Sequence, residues 1–259
     1  MILLLGGTID SREIARELKK NKIGFITTTV SDYGKLLAEE YSDNVIKEIL
    51  DKEKLITFIK EKNIQIIIDA THPFAKNISE NALFASKETN TRYLRYERPE
   101  IKLQNNQNIF LVDNLKEASE KANEYGENIL LTIGSRGLGE FKEVIENKNV
   151  YARVLPDINS IKACEEAGIN TGNIIAMQGP FSTELNKLLI SEKNIDLLVT
   201  KESGKAGGLE EKLSSVTETG INIIVIKRPD LIYPVVFSDV NILIEKITEG
   251  SLWKIMNMK

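Results

Sequence analysis

His72 is the only histidine in the 259 residues, and it lies in the stretch "IQIIIDATHPFAKNISENALFA" (residues 64–85), directly before Pro73. An imidazole titrates near neutral pH, so a histidine at the end of an apolar run has the chemistry of a general base. The same stretch also has the chemistry of a turn. Pro73 suits the first turn of a helix, where its missing N–H has no intrahelical partner, and this leaves Thr71 or His72 at the cap. Near the N-terminus, "LLLGGTIDSREIA" passes from an apolar run through Gly6-Gly7-Thr8 into a helical pattern. Glycines let backbone amides approach a phosphate, and a helix N-terminus adds favourable partial positive charge. The pattern is not G-x-G-x-x-G, and a plain strand-to-helix turn capped by Asp10 or Ser11 reads the same way.

Further polar stretches follow apolar runs along the chain. After "GFITTTVSDYG" come Ser31 and Asp32; the acid is late for a ribose-holding position, which is compatible with either nicotinamide cofactor. Four more lie in the second half: "TIGSRGLGEF" with Ser135 and Arg136, "MQGPFS" with Gln178, "TKESGKAGG" with Lys201, Ser203 and Gly207, and "IKRPD" with Lys227 and Arg228. A lysine and two arginines gathered with glycines at strand ends would make a wall suited to anions.

The elements that must position these residues are legible as short apolar runs alternating with amphipathic ones. Strands are predicted at 2–5, 25–30, 64–69, 92–96, 109–112, 128–132, 150–154, 174–177, 197–200 and 223–226. Several are unbroken Ile/Val/Leu runs, as in parallel strands covered on both faces. Between them, "SREIARELKK" aligns Ile14 with Leu18, "AKNISENALFASK" aligns Ala75, Ile78, Ala82 and Ala85, and "STELNKLLISEK" groups Leu185, Leu188 and Leu189. This alternation predicts an α/β fold of two Rossmann-like domains with mostly parallel sheets and a cleft between them. In such sheets, ligands bind beyond the carboxyl ends of the strands. The polar, aperiodic segment "RPEIKLQNNQN" (98–108) reads as the linker, giving a dinucleotide-binding domain over 1–100 and a substrate domain over 101–259, with the boundary uncertain by about 15 residues. Two short echoes, "YERPE" with "IKRPD" and "HPFA" with "GPFS", suggest similar halves.

Composition removes several classes. The net charge of −4 argues against a nucleic-acid platform. One cysteine, Cys164, excludes an intrachain disulfide framework, and at helical spacing from Ile158 and Ile161 it reads as a small buried hydrophobe. With one histidine and no suitably spaced acids, no protein-bound metal is expected. The N-terminus lacks a basic leader, and no segment has the length of a membrane span, so the expectation is a cytoplasmic chain without a membrane partner.

In combination, "LLLGGTIDSREIA", "DATHPFAKNISENA", "RYLRYERP", "TIGSRGL", "ARVLP", "QGPFSTELN", "LVTKESGKAGGLEEKL" and "IVIKRP" occur in order over nearly the whole chain. In this the chain resembles the precorrin-6A reductase family of corrinoid biosynthesis. The resemblance implies hydride transfer from NADH or NADPH to the macrocycle of precorrin-6A, or its cobalt-containing counterpart, giving (cobalt-)precorrin-6B. Carried over to matching residues, it implies that Gly6, Gly7, Thr8, Asp10 and Arg12 hold cofactor phosphates and ribose. Ser31, Ala70, Thr71 and His72 would line the nicotinamide. Ser135, Arg136, Gln178, Lys201, Ser203, Gly207 and Arg228 would meet the polycarboxylate corrinoid. Asp69 and Lys201 are candidate proton donors beside a water or the substrate's own carboxyl groups, and nothing obliges the reaction to use His72. The Ile-, Lys- and Asn-rich composition is that of an AT-rich anaerobe and favours NADH and the cobalt ring. A monomer or small homo-oligomer is expected.

Two other classes compete. A different nicotinamide-dependent reductase of a small anionic substrate would show a fuller glycine fingerprint and a Tyr-x-x-x-Lys pair, which "YGKLLAEEY" does not supply. A non-enzymatic two-lobed ligand-binding protein would be expected to carry an export signal.

Overall fold

The computed structural model describes residues 1–103 and 107–249. Residues 104–106 of the expected linker and 250–259 of the expected second domain lie outside these. The chain divides into two compact units, one of residues 1–98 with 230–259 and one of 99–229.

The first unit contains β1 (Ile2–Leu5), α1 (Ile9–Lys20), β2 (Phe25–Thr29), α2 (Asp32–Glu39), β3 (Val45–Lys47), α3 (Lys52–Glu61), β4 (Ile66–Asp69), α4 (Lys76–Glu88) and β5 (Arg92–Tyr96). The second contains β6 (Ile109–Val112), α5 (Leu115–Tyr125), β7 (Asn128–Thr132), α6 (Leu138–Lys142), β8 (Asn149–Val154), α7 (Ile158–Glu166), β9 (Ile174–Ala176), α8 (Thr183–Glu192), β10 (Leu197–Lys201), α9 (Leu209–Thr219) and β11 (Asn222–Ile226). The chain then returns to the first unit as β12 (Val236–Phe237) and α10 (Val240–Thr248).

Among the described residues each unit holds one six-stranded sheet, ordered β12-β5-β4-β1-β2-β3 in the first and β6-β11-β10-β7-β8-β9 in the second. Every pairing between these strands is parallel. The two orders are the same topology, except that the outermost strand beside β5 comes from the end of the chain and the one beside β11 from its middle. After β5 the chain leaves to begin the second sheet, and after β11 it returns to complete the first. A second domain running on past Pro229 is therefore corrected: the described residues 230–249 belong with the first unit, where Val236 and Phe237 pair with Arg95 and Tyr96.

Alternation along the strands divides the first core into two layers. Ile2, Leu4, Ile66 and Ile68 pack with Ile14 and Leu18 of α1 and Leu243 and Ile244 of α10. Leu3, Leu5, Ile67 and Tyr93 pack with Leu55, Phe58 and Ile59 of α3 and Ala82 and Ala85 of α4. In the second unit, Leu130, Leu198, Ile223 and Val225 meet Ile190 of α8 and Leu209 and Val216 of α9. Each large aliphatic chain buried this way contributes about 1.5–3 kcal/mol.

Three local expectations change. On α8 the buried positions are Asn186 and Ile190, while Leu188 is 55% exposed, so the expected leucine stripe is not the inward face. Cys164 is buried as expected, but Ile158 of the same helix is 71% exposed. The helix after Pro73 begins only at Lys76, with Ala75 at its cap, because Pro73 and Phe74 first make a turn closed by the Ala75 N–H on the His72 carbonyl at 2.7 Å. No described helix is long and apolar enough to cross a membrane.

Candidate functional site

The loops after β1 and β4 are built as one structure. Gly6 continues beside β2 by donating its N–H to the Thr28 carbonyl at 3.0 Å. A Cβ there would lie 3.1 Å from Thr27 Cγ2 and 3.2 Å from the Thr28 oxygen, so a side chain would have to push β2 back by a few tenths of an ångström. Gly7 has φ +106°, and the space a side chain would occupy is open. Thr8, rather than Asp10 or Ser11, caps α1: its hydroxyl accepts the Ser11 N–H at 3.0 Å, and Ser11 Oγ accepts the Thr8 N–H at 3.1 Å. The Thr8 hydroxyl also donates to the Ala70 carbonyl at 2.8 Å, tying the two loops together. An uncovered glycine before a capped helix start fits the pyrophosphate of a dinucleotide.

Beneath Ala70 lies a buried polar hub. Asp69 ends β4 fully buried, opposite Arg95 of β5 in register. Its Oδ1 accepts from the Thr71 N–H (3.0 Å), the Thr71 hydroxyl (2.6 Å) and Arg95 NH1 (2.9 Å). Its Oδ2 accepts from Ser79 and Tyr93, both at 2.6 Å. Arg95 also meets Glu97 at 3.4 Å and lies 5.1 Å from the Tyr233 ring centre. Burial opposes the charged guanidinium, but Asp69, then Tyr233 and Glu97, outweigh it and hold the Arg95 pKa above its ordinary value. Burial, then Asp69, drives the Tyr93 phenol far up. With both oxygens engaged and no exposure, Asp69 is corrected from candidate proton donor to the group that fixes the Thr71 turn. His72, partly exposed, accepts the Phe74 N–H on Nδ1 at 3.2 Å, a turn-shaping contact.

The other residues expected on the cofactor side are more scattered. Asp10 is ion-paired with Arg98 at 2.5 Å within the first unit. Arg12 lines a shallow depression of about 260 Å³ with Ile9, Glu13, Arg16 and Tyr41. Ser31 caps α2 by accepting the Gly34 N–H at 3.0 Å, and Asp32 is paired with Lys47 at 2.6 Å.

In the second unit Lys201 closes β10, and Arg136 lies in the 3₁₀ turn after β7, the strand beside it. Burial first, then the Arg136 charge, lowers the Lys201 pKa, with Glu140 acting the other way. Ser135 Oγ accepts from Ser160 at 3.4 Å. Ser203 donates to the Gly207 carbonyl at 3.3 Å, which folds the glycine loop onto itself. Arg228 is corrected from a direct anion contact: its side chain is 6% exposed and its Nε is bonded to Glu202. Glu202 in turn accepts from the Gly204 and Ile101 N–H groups at 3.0 and 3.2 Å. Gln178 is exposed after β9, at the far edge of the sheet from Arg228 after β11.

Sequence reasoning missed Arg95, Tyr233, Glu202, Arg153 and Lys212. The available signal was an arginine inside a strand otherwise built for burial, in "RYLRY" and "YARV".

Residues 1–248 match the family described as Precorrin-6x reductase CbiJ/CobK. The cobalt-precorrin-6A reductase of Methanocaldococcus jannaschii is 41% identical over 95% of this chain and 97% of its own. That of Priestia megaterium is 37% identical over 92% of this chain and 94% of its own. A solved structure of CobK precorrin-6A reductase superposes with a TM-score of 0.81, covering 96% of both chains at 21% identity, and shares the fold. The glycine turn, the tied loops and this end-to-end match place the chain in the precorrin-6x reductase CbiJ/CobK family.

Proposed function

We propose that this chain reduces the precorrin-6A macrocycle, in its cobalt-containing form, to the 6B ring in cobalamin biosynthesis. The match over residues 1–248 carries this reading, and the open glycine turn at Gly7 supports a dinucleotide partner. The names borne by the relatives above favour the cobalt ring. The bound nicotinamide supplies the hydride that saturates one carbon–carbon double bond.

The chain's own residues do the rest. Gly6, Gly7 and Thr8, with Arg12 behind them, would receive the cofactor phosphates, and Ser31 would lie on the nicotinamide side. Thr71 and His72 shape the edge of the loop that would line the nicotinamide side, and that ring would supply the hydride, a transfer that depends on positioning. Ser135, Arg136, Gln178, Lys201 and Ser203 meet the substrate's acetate and propionate groups, while Gly207 shapes the loop around Lys201. Lys201 holds at Nζ the one proton that completes the reduction after hydride transfer, and its lowered pKa favours release. NADH is the preferred donor, and the enzyme acts in the cytoplasm.

The test is anaerobic incubation with NADH or NADPH and precorrin-6A with or without cobalt, following cofactor oxidation and ring absorbance. Oxidation coupled to the ring's spectral change, fastest with NADH and the cobalt ring, is expected. Absence of oxidation with every pairing refutes the reductase reading, and a faster NADPH reaction refutes the donor preference.

A further inference from the structure

Parallel alternation places a polar layer at the carboxyl end of the second sheet, on the face covered by α8 and α9. Tyr151 and Leu198 of that face belong to the apolar cluster under these helices, so Arg153 and Thr200, two residues further along, share it. Arg153 is 5% exposed, and its guanidinium donates to Asn186 Oδ1 of α8 at 2.7 Å and lies 4.0 Å from the Phe181 ring centre. Lys212, on the first turns of α9, is 7% exposed, and Nζ reaches the Gly207 carbonyl at 3.3 Å.

These partners are neutral. Among the described residues, no carboxylate forms an ion pair with Arg153 or Lys212, although one buried cation in such a setting ordinarily requires one. Glu211 is the acid whose charge acts on Lys212, and its buried Oε2 has no hydrogen-bond partner. Two cations against one carboxylate leave one positive charge uncompensated. The Thr200 hydroxyl is buried without a partner, and α9 begins without a side-chain cap. Arg153 and Lys212 also act on each other: burial, then the Arg153 charge, lowers the Lys212 pKa to about 7, and burial lowers Arg153 to about 10.

We infer that Arg153, Asn186 and Lys212 form a binding subsite for one carboxylate group. A carboxylate has the right charge, takes parallel donors from a guanidinium, and is a better acceptor for Nζ than the Gly207 carbonyl. On the function proposed above, it would be one acetate or propionate arm of the ring, held apart from the Lys201–Arg136 wall. That assignment rests on the reductase reading, whereas the carboxylate site itself does not.

The experiment therefore has an arm without cofactor or ring. Thermal unfolding of the whole chain is followed in sodium acetate or propionate against sodium chloride and sulfate at matched ionic strength. A carboxylate-specific rise in Tm of about 2–4 °C is expected for wild type and for Lys205→Gln, an exposed neighbour, and not for Lys212→Met. Asn186→Asp, which places a carboxylate beside Arg153, should raise Tm and abolish the response, so the test does not depend on a variant that folds poorly. Equal responses in wild type and Lys212→Met, or no response in wild type, overturn the site. An equal rise in sulfate shows an unselective anion pocket and overturns the carboxylate assignment. In turnover, Lys212→Met should raise KM for the ring about tenfold or more while changing kcat less than twofold. An unchanged ring KM alongside an intact acetate response refutes only the assignment to the ring.

Discussion

Replacing Asp69 with asparagine tests whether the first unit's strand-end loops are held by a buried charge pair. The substitution keeps the size and one acceptor oxygen, so Thr71 and Arg95 retain a partner, while the hydroxyls of Ser79 and Tyr93 can turn to accept from the new amide. What disappears is the negative charge 2.9 Å from a guanidinium that is itself fully buried. Removing one member of such a pair costs roughly 3–5 kcal/mol. Arg95 keeps Glu97 at 3.4 Å and the Tyr233 ring, which puts Asp69→Asn near the lower end, at about 3 kcal/mol. Arg95→Met leaves Asp69 with hydroxyl and amide donors alone and should cost about 4 kcal/mol. The double variant leaves no uncompensated charge, so it should lose about 4 kcal/mol in total, a coupling of about 3 kcal/mol. Native-state hydrogen exchange of the β1, β4 and β5 amides, read by mass spectrometry, measures these losses in the first unit by itself. A loss under about 1 kcal/mol for Asp69→Asn, or additive losses in the double variant, would refute the reasoning.

Other predictions follow from the same geometry. Gly7→Ala, forced to φ +106°, should lose about 1–2 kcal/mol and weaken nicotinamide-cofactor binding about tenfold or more by titration; unchanged binding removes the glycine turn from the cofactor site. Lys201→Ala should lower ring turnover with cofactor Kd nearly unchanged, and equal loss of cofactor affinity would place Lys201 on the cofactor side. His72→Gln should keep measurable activity; a loss of several orders of magnitude in a folded protein would make the imidazole essential. Because the folded Lys212 pKa is depressed to about 7, the unfolded chain binds more protons between pH 7 and its ordinary value of 10.5. Wild type should therefore gain up to roughly 4 kcal/mol on Lys212→Met as pH rises from 7 to 10, and parallel stability curves would show that folding does not depress the pKa of this lysine.

The interior strands were legible because a parallel strand covered on both faces must be a continuous apolar run, and the predicted ones recur within a residue or two of their observed bounds. β3 and β12, three and two residues long at edges of the first sheet, were not predicted. The return of the chain to the first sheet is a long-range pairing of Val236 with Arg95, and "YPVVF" carries no local sign of it. Of the two echoes, "YERPE" and "IKRPD" mark equivalent places, since Arg98-Pro99 and Arg228-Pro229 stand at the two points where the chain changes units. "HPFA" and "GPFS" do not: the first follows β4, whose counterpart by topology is β10, while the second follows β9. In the site, the glycine turn could be read because backbone constraint shows in residue type. The roles of Asp69 and Arg228 could not, because each is set by a partner strand that only register reveals.

The repeated topology sharpens the contrast between the two sheets. Both put charged side chains at the carboxyl ends of covered strands, where a solvated surface reading fails. In the first sheet the buried cation Arg95 stands opposite Asp69, and every oxygen of that carboxylate is engaged, so the charge is consumed in fixing a loop. The arginines at the two crossing points are likewise matched, Arg98 by Asp10 and Arg228 by Glu202. Arg153 and Lys212 break this rule with an amide and a carbonyl as partners. Scaffold arginines in this chain are thus supplied with an internal acid. The pair without one is where an external acid has a physical reason to bind, and restoring an internal one through Asn186→Asp should convert that pair into scaffold.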